Sequence, residues 1–541
     1  MTHRIRTLVA VFATALLALS APLTAQAPTP ESVIGWEPGA DYELADYSQI
    51  EEYFQTLDAA SDRIELRRIG ESAQGRALYL ALISSAENLR NLDRWKEIAR
   101  RLAMARGVDE GEARRLAAEG KAILWIDGGL HATEVAHGQM TPKLAHHLVS
   151  SEEEEVRRIR EDAVVLVMPN MNPDGLDIVA GWYRRNLGTE FETAGLPVLY
   201  HEYVGHDNNR DWFMILQPES EAVTRQLWHE WFPQIVYNHH QTGPFPSRIF
   251  IPPFTDPMNP NIPAMVMRGI NLVGTAMGNR FDREGKPGVV SRVQYSVWWN
   301  GGMRTAPYFH NQIGILTETN LYEYATPHFY PPDEIPQTFG GRRGGTLSAQ
   351  EPSVFYPNPW KGGWWRIGDA VDYMMTGSMA VLDIGVRLKD DWLFGIWEMG
   401  RRAIEAGEAG GPYAYVIPRE QWDAGAGQEL VSVLRRGGVE VHEATASFRA
   451  GGRDYSAGDF VAYAAQPFRA HLMDLMEPQD YPDRRAYPGG PPDPPYDLAG
   501  WTLPMQMGVD ARRVDAPFEA RTRPVQGVVV SPPAGEVRGS G

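Results

Sequence analysis

The sequence predicts an α/β fold: a mixed β-sheet sandwiched by helices (α/β/α), followed by a smaller C-terminal α/β unit. Three observations carry that prediction. Short apolar runs, "AILWI" (122–126), "VVLVM" (164–168), "IVY" (235–237) and "IGIL" (313–316), alternate with segments of helical period. These runs are apolar throughout, as strands covered on both faces are. Beyond residue 411 a strand–helix–strand pattern resumes on a smaller scale.

Taken in order, "YSQIEEYFQTLDAA" (47–60) has helical patterning. In "RIELRRIGESAQGRALYLALISS" (63–85) two alternating segments flank a Gly-containing turn, which predicts a hairpin. The four apolar runs then each end in polar residues of unusual type, and in open α/β sheets ligands sit at that carboxyl edge. Residues 330–365 are rich in Pro, Gly and aromatics and predict a long loop. "IGDAVDYMMTGSMAVLDIGVRL" and "WLFGIWEMGRRAIEAGE" predict two successive helices. The smaller unit reads as strand "YAYVIP", helix "GQELVSVLRRGG", strands "VEVHEA" and "DFVAYAA", and helix "RAHLMDLME". The expected organisation is therefore a main unit over 33–390, a small α/β unit over 411–510 and a disordered tail over 511–541.

With 541 residues, 43% of them hydrophobic, the chain can bury a large core. A charged fraction of 22% and 16 Trp exclude a disordered composition. The formal net charge of −18 argues against nucleic acid as a partner, because phosphate binding needs a basic surface. There is no cysteine, which excludes disulfides, thiolate metal sites and cysteine nucleophiles. Any transition metal must be held by His and carboxylate. The N-terminus has Arg4 and Arg6, then the apolar "LVAVFATALLALSA", then small residues. This predicts a secretory signal peptide over 1–25 and a secreted or periplasmic protein. No other run approaches the roughly 20 apolar residues a spanning helix needs, so no stable membrane span is expected after signal cleavage.

The segment "DGGLHATEVAHG" (127–138) places His131 and Glu134 three residues apart just beyond a strand. A catalytic zinc takes three protein ligands and leaves a position open. His131 and Glu134 can supply two, and the strand end "QIVYNHHQTG" offers His239 or His240 as a third. H-x-x-E alone is a weak motif. It is accompanied by "PNMNPDG" (169–175), "GHDNNRDWF" (205–213) and "GILTETN" (314–320). His146-His147 and the "EEEE" run over 152–155 read as solvated faces of a helix and turn, and His137 as a neighbour of the ligand pair.

From about Tyr42 to Asn320 these motifs, in kind and order, resemble the zinc metallocarboxypeptidases of the carboxypeptidase A type. The resemblance implies one Zn2+ per chain held by His131, Glu134 and His240, with His239 the alternative one register away. It implies Glu318 as the acid–base carboxylate, Glu323 being the weaker alternative. Asn209 and Arg210 match the pair that grips a peptide's terminal carboxylate, a structural salt bridge of Arg210 with Asp207 or Asp211 being the lesser alternative. Arg184 looks like the arginine facing the scissile carbonyl, with Arg185 a rival. Tyr295 matches the mobile tyrosine by count, with Tyr308 as competitor. Arg304 falls near the pocket floor, where it would favour an acidic C-terminal side chain. The implied activity is removal of C-terminal residues from a peptide substrate with a free C-terminal carboxylate. The same scaffold is compatible with a zinc amidase or endopeptidase acting on cell-wall peptides or small amides, and with a silent binding protein. The C-terminal unit resembles an amidotransferase-like domain, an incomplete one being among the expectations. Without cysteine it lacks that fold's nucleophile, and a structural or docking role is expected.

Overall fold

The computed structural model describes residues 27–205, 207–340, 347–485 and 487–529, so the expected signal peptide over 1–25 lies outside the described residues. An eight-stranded sheet forms the centre, in the order Ile64–Glu71, Ala77–Ile83, Ala163–Met168, Ala122–Asp127, Ile235–Gln241, Ile313–Thr319, Ile249–Phe250, Val289–Val290. The four apolar runs are its middle strands and pair in parallel with one another. The antiparallel hairpin Ile64–Ile83 extends one side. All four parallel strands therefore end on the same edge, at Asp127, Met168, Gln241 and Thr319.

Alternate side chains of each strand point to opposite faces. Leu124, Ile126, Val165, Val167 and Tyr237 enter one core with helices Tyr47–Ala60, Val135–Ser150, Ala264–Arg283 and Ile367–Arg387. Ile123, Trp125, Val164, Leu166 and Val236 enter another with Trp212, Trp228 and Trp231. Among the described residues no helix is long and apolar enough to cross a membrane.

The structure departs from the expected organisation at three places. First, helix Lys389–Ala409 buries Leu393, Ile396 and Trp397 against Ile98, Leu102 and Ala113, so the main unit runs to about residue 410 and not 390. Second, the 330–365 loop is not without structure. His328–Tyr330 pairs with Gly363–Trp365, and the aromatics enclose Arg248, fully buried with its guanidinium 3.7 Å from the Trp360 ring and 4.6 Å from that of Trp365. A guanidinium facing aromatic rings keeps favourable electrostatics where water is excluded.

Third, the smaller unit is an antiparallel five-stranded sheet, ordered Arg512–Val514, Ala414–Ile417, Phe460–Tyr463, His442–Ala444, Thr522–Pro524. The outer two strands come from the stretch expected to be a disordered tail. Each is only three residues long, too short for any period to register in sequence, yet they cover both edges of the sheet. The all-antiparallel pairing also differs from the expected amidotransferase-like α/β unit.

The two units are joined through Asp474 of helix Arg469–Met476. Its fully buried carboxylate accepts from the side-chain amides of Asn259 and Asn300, both at 2.6 Å, and of Asn261 at 3.2 Å. Burial pushes the Asp474 carboxyl up to about 6, although the amide bonds oppose this.

Candidate active site

The turn after strand Ala122–Asp127 depends on Gly129. Its φ is +75°, and a Cβ there would overlap the Asn170 carboxamide. Asn170 is fixed in turn by accepting from the Asn172 backbone N–H at 2.9 Å. The "NPDG" segment is thus scaffold: Asn172 caps helix Pro173–Asn186, and Asp174 accepts from Ser72 Oγ at 2.8 Å and the Gln74 N–H at 3.0 Å in the hairpin turn. This arrangement delivers His131 and Glu134 to the mouth of the sheet, at the start of helix Val135–Ser150. The other side chains come from register. Glu318 pairs directly with His240 on adjacent parallel strands. His239 points the other way, where its Nε2 meets Ser378 Oγ at 2.9 Å in the helix layer.

His131, Glu134 and His240 each place a ligand atom within 4.8 Å of the others'. His131 Nδ1 lies 2.6 Å from Glu134 Oε1, and His240 Nδ1 lies 3.0 Å from Glu134 Oε2. The far ring nitrogens are engaged by acceptors: His131 Nε2 with Asp207 Oδ1 at 3.0 Å, His240 Nε2 with Asn238 Oδ1 at 2.5 Å. Acceptors there hold the Nε2 protons, so Nδ1 is the atom each ring presents to the carboxylate and could offer to an ion, as in the outer-shell arrangement of metal-ligating histidines. Two imidazoles and one carboxylate without thiolate are a donor set that suits zinc. Burial would lower the His131 pKa, but Glu134 and Asp207 outweigh it and raise it to about 10. Burial likewise works against an ionised Glu134, and the two histidines reverse this and hold it well below the usual range. His137, one turn along the helix, accepts the Gly129 N–H at 2.7 Å.

Glu318 is 7% exposed. Burial, reinforced by the nearby Glu134 carboxylate, pushes its pKa up to about 7 against the opposing pull of His240. Tyr295 donates to Glu318 Oε1 at 2.6 Å, and its backbone has a φ of +62°, uncommon for a bulky residue. Tyr308, the competitor, is buried and accepts from Arg304 Nη1 at 2.9 Å. Glu323 lies beyond the strand, in a bridge to Thr326.

Asn209 sits beside His240, with Nδ2 3.3 Å from Nε2, while its Oδ1 accepts the Met303 N–H at 2.7 Å. Arg210 pairs with Asp207 at 2.9 Å and with Asp497 at 2.6 Å. Arg304 is buried, donates to Tyr308 and to the Ser296 carbonyl, and lies 5.5 Å from the Tyr295 ring. Arg184 is the residue the structure does not bring to this cluster. Its guanidinium donates to Asp46 at 2.7 Å, the Leu44 carbonyl at 2.7 Å and Gln49 Oε1 at 2.5 Å. Both Arg184 and Arg185 belong to the last turn of helix Pro173–Asn186, and Arg184 ties that turn to the cap of helix Tyr47–Ala60. Three neighbours were not singled out from sequence as parts of the site: Asp207, Asn238 and, from the smaller unit, Asp497. The first two had a signal, three before Arg210 and two before His240; the third had none.

A mixed α/β/α sheet carrying a His-x-x-Glu pair, a distant histidine and a strand-end glutamate at one edge defines a metallopeptidase-type hydrolase. Residues 50–246 match the zinc carboxypeptidase family model (Peptidase_M14), which supports a zinc peptidase hydrolase. The match includes the His131, Glu134 and His240 positions and ends before Glu318. No curated protein matches the sequence. Among solved structures, a putative carboxypeptidase of Burkholderia mallei aligns at 14% identity over 64% of this chain and 68% of that one, with a TM-score of 0.40. A metallo-carboxypeptidase of Pseudomonas aeruginosa, in complex with (2-guanidinoethylmercapto)succinic acid, aligns at 14% identity over 65% and 70%, TM-score 0.41. Carboxypeptidase A of Helicoverpa armigera aligns at 15% identity over 65% and 74%, TM-score 0.37.

Proposed function

We propose that the protein is a zinc-dependent exopeptidase that hydrolyses the C-terminal peptide bond of substrates with a free terminal carboxylate, and that it acts outside the cytoplasm. The observation that carries the reading is the register pairing of His240 with Glu318 beside the His131–Glu134 turn. The leader-like N-terminus supports the location.

His131, Glu134 and His240 would hold one zinc per chain. When bound there, zinc supplies a Lewis acid that polarises the substrate carbonyl and makes a water acidic, with a pKa of ~7. Glu318 takes the water's proton: its own pKa of about 7 lets it accept near neutrality and return the proton to the leaving amine. Tyr295 occupies Oε1 and leaves Oε2 for that transfer. Asn209 and Arg210 are the proposed clamp for the terminal carboxylate. Arg304, with no carboxylate partner among the described residues, would favour an acidic terminal side chain.

Turnover of N-acylated dipeptides ending in Glu or Leu, with and without chelation, tests this reading. Chelation is expected to abolish hydrolysis and readdition of zinc to restore it. Hydrolysis unaffected by exhaustive chelation would contradict the mechanism, and equal cleavage of the two substrates would remove Arg304 from it. One observation favours a second reading, zinc amidase or endopeptidase: the Arg210 guanidinium already faces two carboxylates.

A pH dependence follows from Glu318. The ionised form is the base, so kcat/KM should rise with pH through an acid limb at or below about 7. A cation at the His–Glu–His cluster draws that limb lower. Tyr295→Phe removes a bond that favours the carboxylate and should move the limb up, as pH profiles of the two proteins would show; a limb moving down would contradict the assignment.

A further inference from the structure

Tyr496 and Asp497 belong to the chain beyond the main unit, yet they end at the candidate clamp. Asp497 Oδ2 accepts from Arg210 Nε at 2.6 Å, and its Oδ1 accepts the Ala499 N–H at 2.8 Å, which fixes the carboxylate's direction. The Ala499 carbonyl accepts from the Trp299 indole at 2.7 Å. The Arg210 guanidinium lies 4.8 Å from the Trp299 ring and 5.5 Å from that of Tyr496. Tyr496 is in turn 6.0 Å from the ring of Tyr295, whose hydroxyl is bonded to Glu318. The other side of the same guanidinium meets Asp207. Both carboxylates already engage the Arg210 guanidinium, so a third arriving with a substrate must compete with them for its N–H donors. The two carboxylates are not equivalent. Asp207 is also held by His131 Nε2 at 3.0 Å and by the Asn209 N–H at 3.0 Å, whereas Asp497 has, besides Arg210, only the Ala499 N–H of its own loop. Asp497 is the one a substrate can displace.

We propose that Asp497 is a specificity-determining residue supplied by the C-terminal unit, competing with a substrate's terminal carboxylate for Arg210. Its charge weakens binding of peptides ending in a free carboxylate relative to those ending in an uncharged group, a carboxamide or a continuing chain. This deepens the hydrolase reading above and rests on it.

The test uses the full-length zinc-loaded protein and one N-acylated dipeptide prepared as free acid and as carboxamide. Asp497→Asn is expected to raise the ratio of kcat/KM for acid over amide by about 10-fold, chiefly through the KM of the acid, in line with loss of a charge-assisted competitor. A ratio that moves less than about 2-fold, or toward the amide, overturns the proposal. Calorimetric titration with N-benzoylglycine, a monocarboxylate that needs no turnover, gives an independent reading: about 10-fold tighter binding to the variant is expected, and unchanged binding overturns the proposal. Should neither substrate be hydrolysed by either protein, the hydrolase reading falls while the titration still decides the role of Asp497. Asp497→Ser, which lacks the charge and the amide, serves in the same two measurements if the melting midpoint shows that the Asn variant folds poorly.

Discussion

Glu318→Gln is expected to lower kcat by about 10²–10⁴-fold, the range contributed by a positioned acid–base group. Glutamine keeps the shape and can still accept from Tyr295, but it cannot take up or deliver a proton. KM should change little, because the role proposed for Glu318 is at the reacting water and not at the proposed clamp of Asn209 and Arg210. The same substitution should stabilise the fold at pH 8. A buried carboxyl whose pKa is raised from 4.5 to about 7 contributes stability that is full below 4.5 and is lost as pH rises through 7. Replacing it with a neutral amide removes that loss, a gain of a few kcal/mol at most. Melting midpoints at pH 5 and pH 8 would show the gain at the higher pH only. Activity retained within 10-fold of the parent would remove Glu318 from the chemistry. Opposite signs for activity and stability are expected where a carboxylate is held against its solvation preference for a catalytic reason.

Much of the fold is visible in the chain because its strongest signals are local. Each central strand is a short run apolar on both faces, and the hairpin announces itself through alternation around Gly75. The choice between His239 and His240 was a question of strand parity: Tyr237 and His239 share a face and Asn238 and His240 the other, and register with Glu318 places the second pair at the site. Other features depend on contacts that no local pattern encodes. Arg210 and Asp497 are 287 residues apart, in segments with no shared motif. The aromatic enclosure of Arg248 draws on a loop more than a hundred residues away, where sequence shows only Pro, Gly and ring side chains. Arg184 misled for a related reason. The resemblance to the carboxypeptidases suggested its role, but helix Pro173–Asn186 carries it to Asp46.

The cluster of His131, Glu134 and His240 predicts a graded loss of metal. Glu134 is its pivot: one oxygen faces His131 at 2.6 Å, the other faces His240 at 3.0 Å and also accepts the Gln241 N–H at 2.9 Å. Asp207 stands one shell further out, on the far nitrogen of His131. Asp207→Asn keeps an acceptor but removes the charge that raises the basicity of the imidazole, so zinc affinity should fall by about 10–100-fold. Glu134→Gln removes the anionic donor itself and should cost more than that, with no stoichiometric zinc retained after dialysis. Dissociation constants from competition with a chromogenic chelator check both without reference to turnover, which matters because Asp207 also pairs with Arg210. The order of the two losses is the informative part. If Glu134→Gln held zinc as tightly as the parent, the three side chains would not share one ion, and their closeness would have to be explained as a buried ion-pair network; if Asp207→Asn were the more damaging, the ligand and its support would have been assigned in reverse.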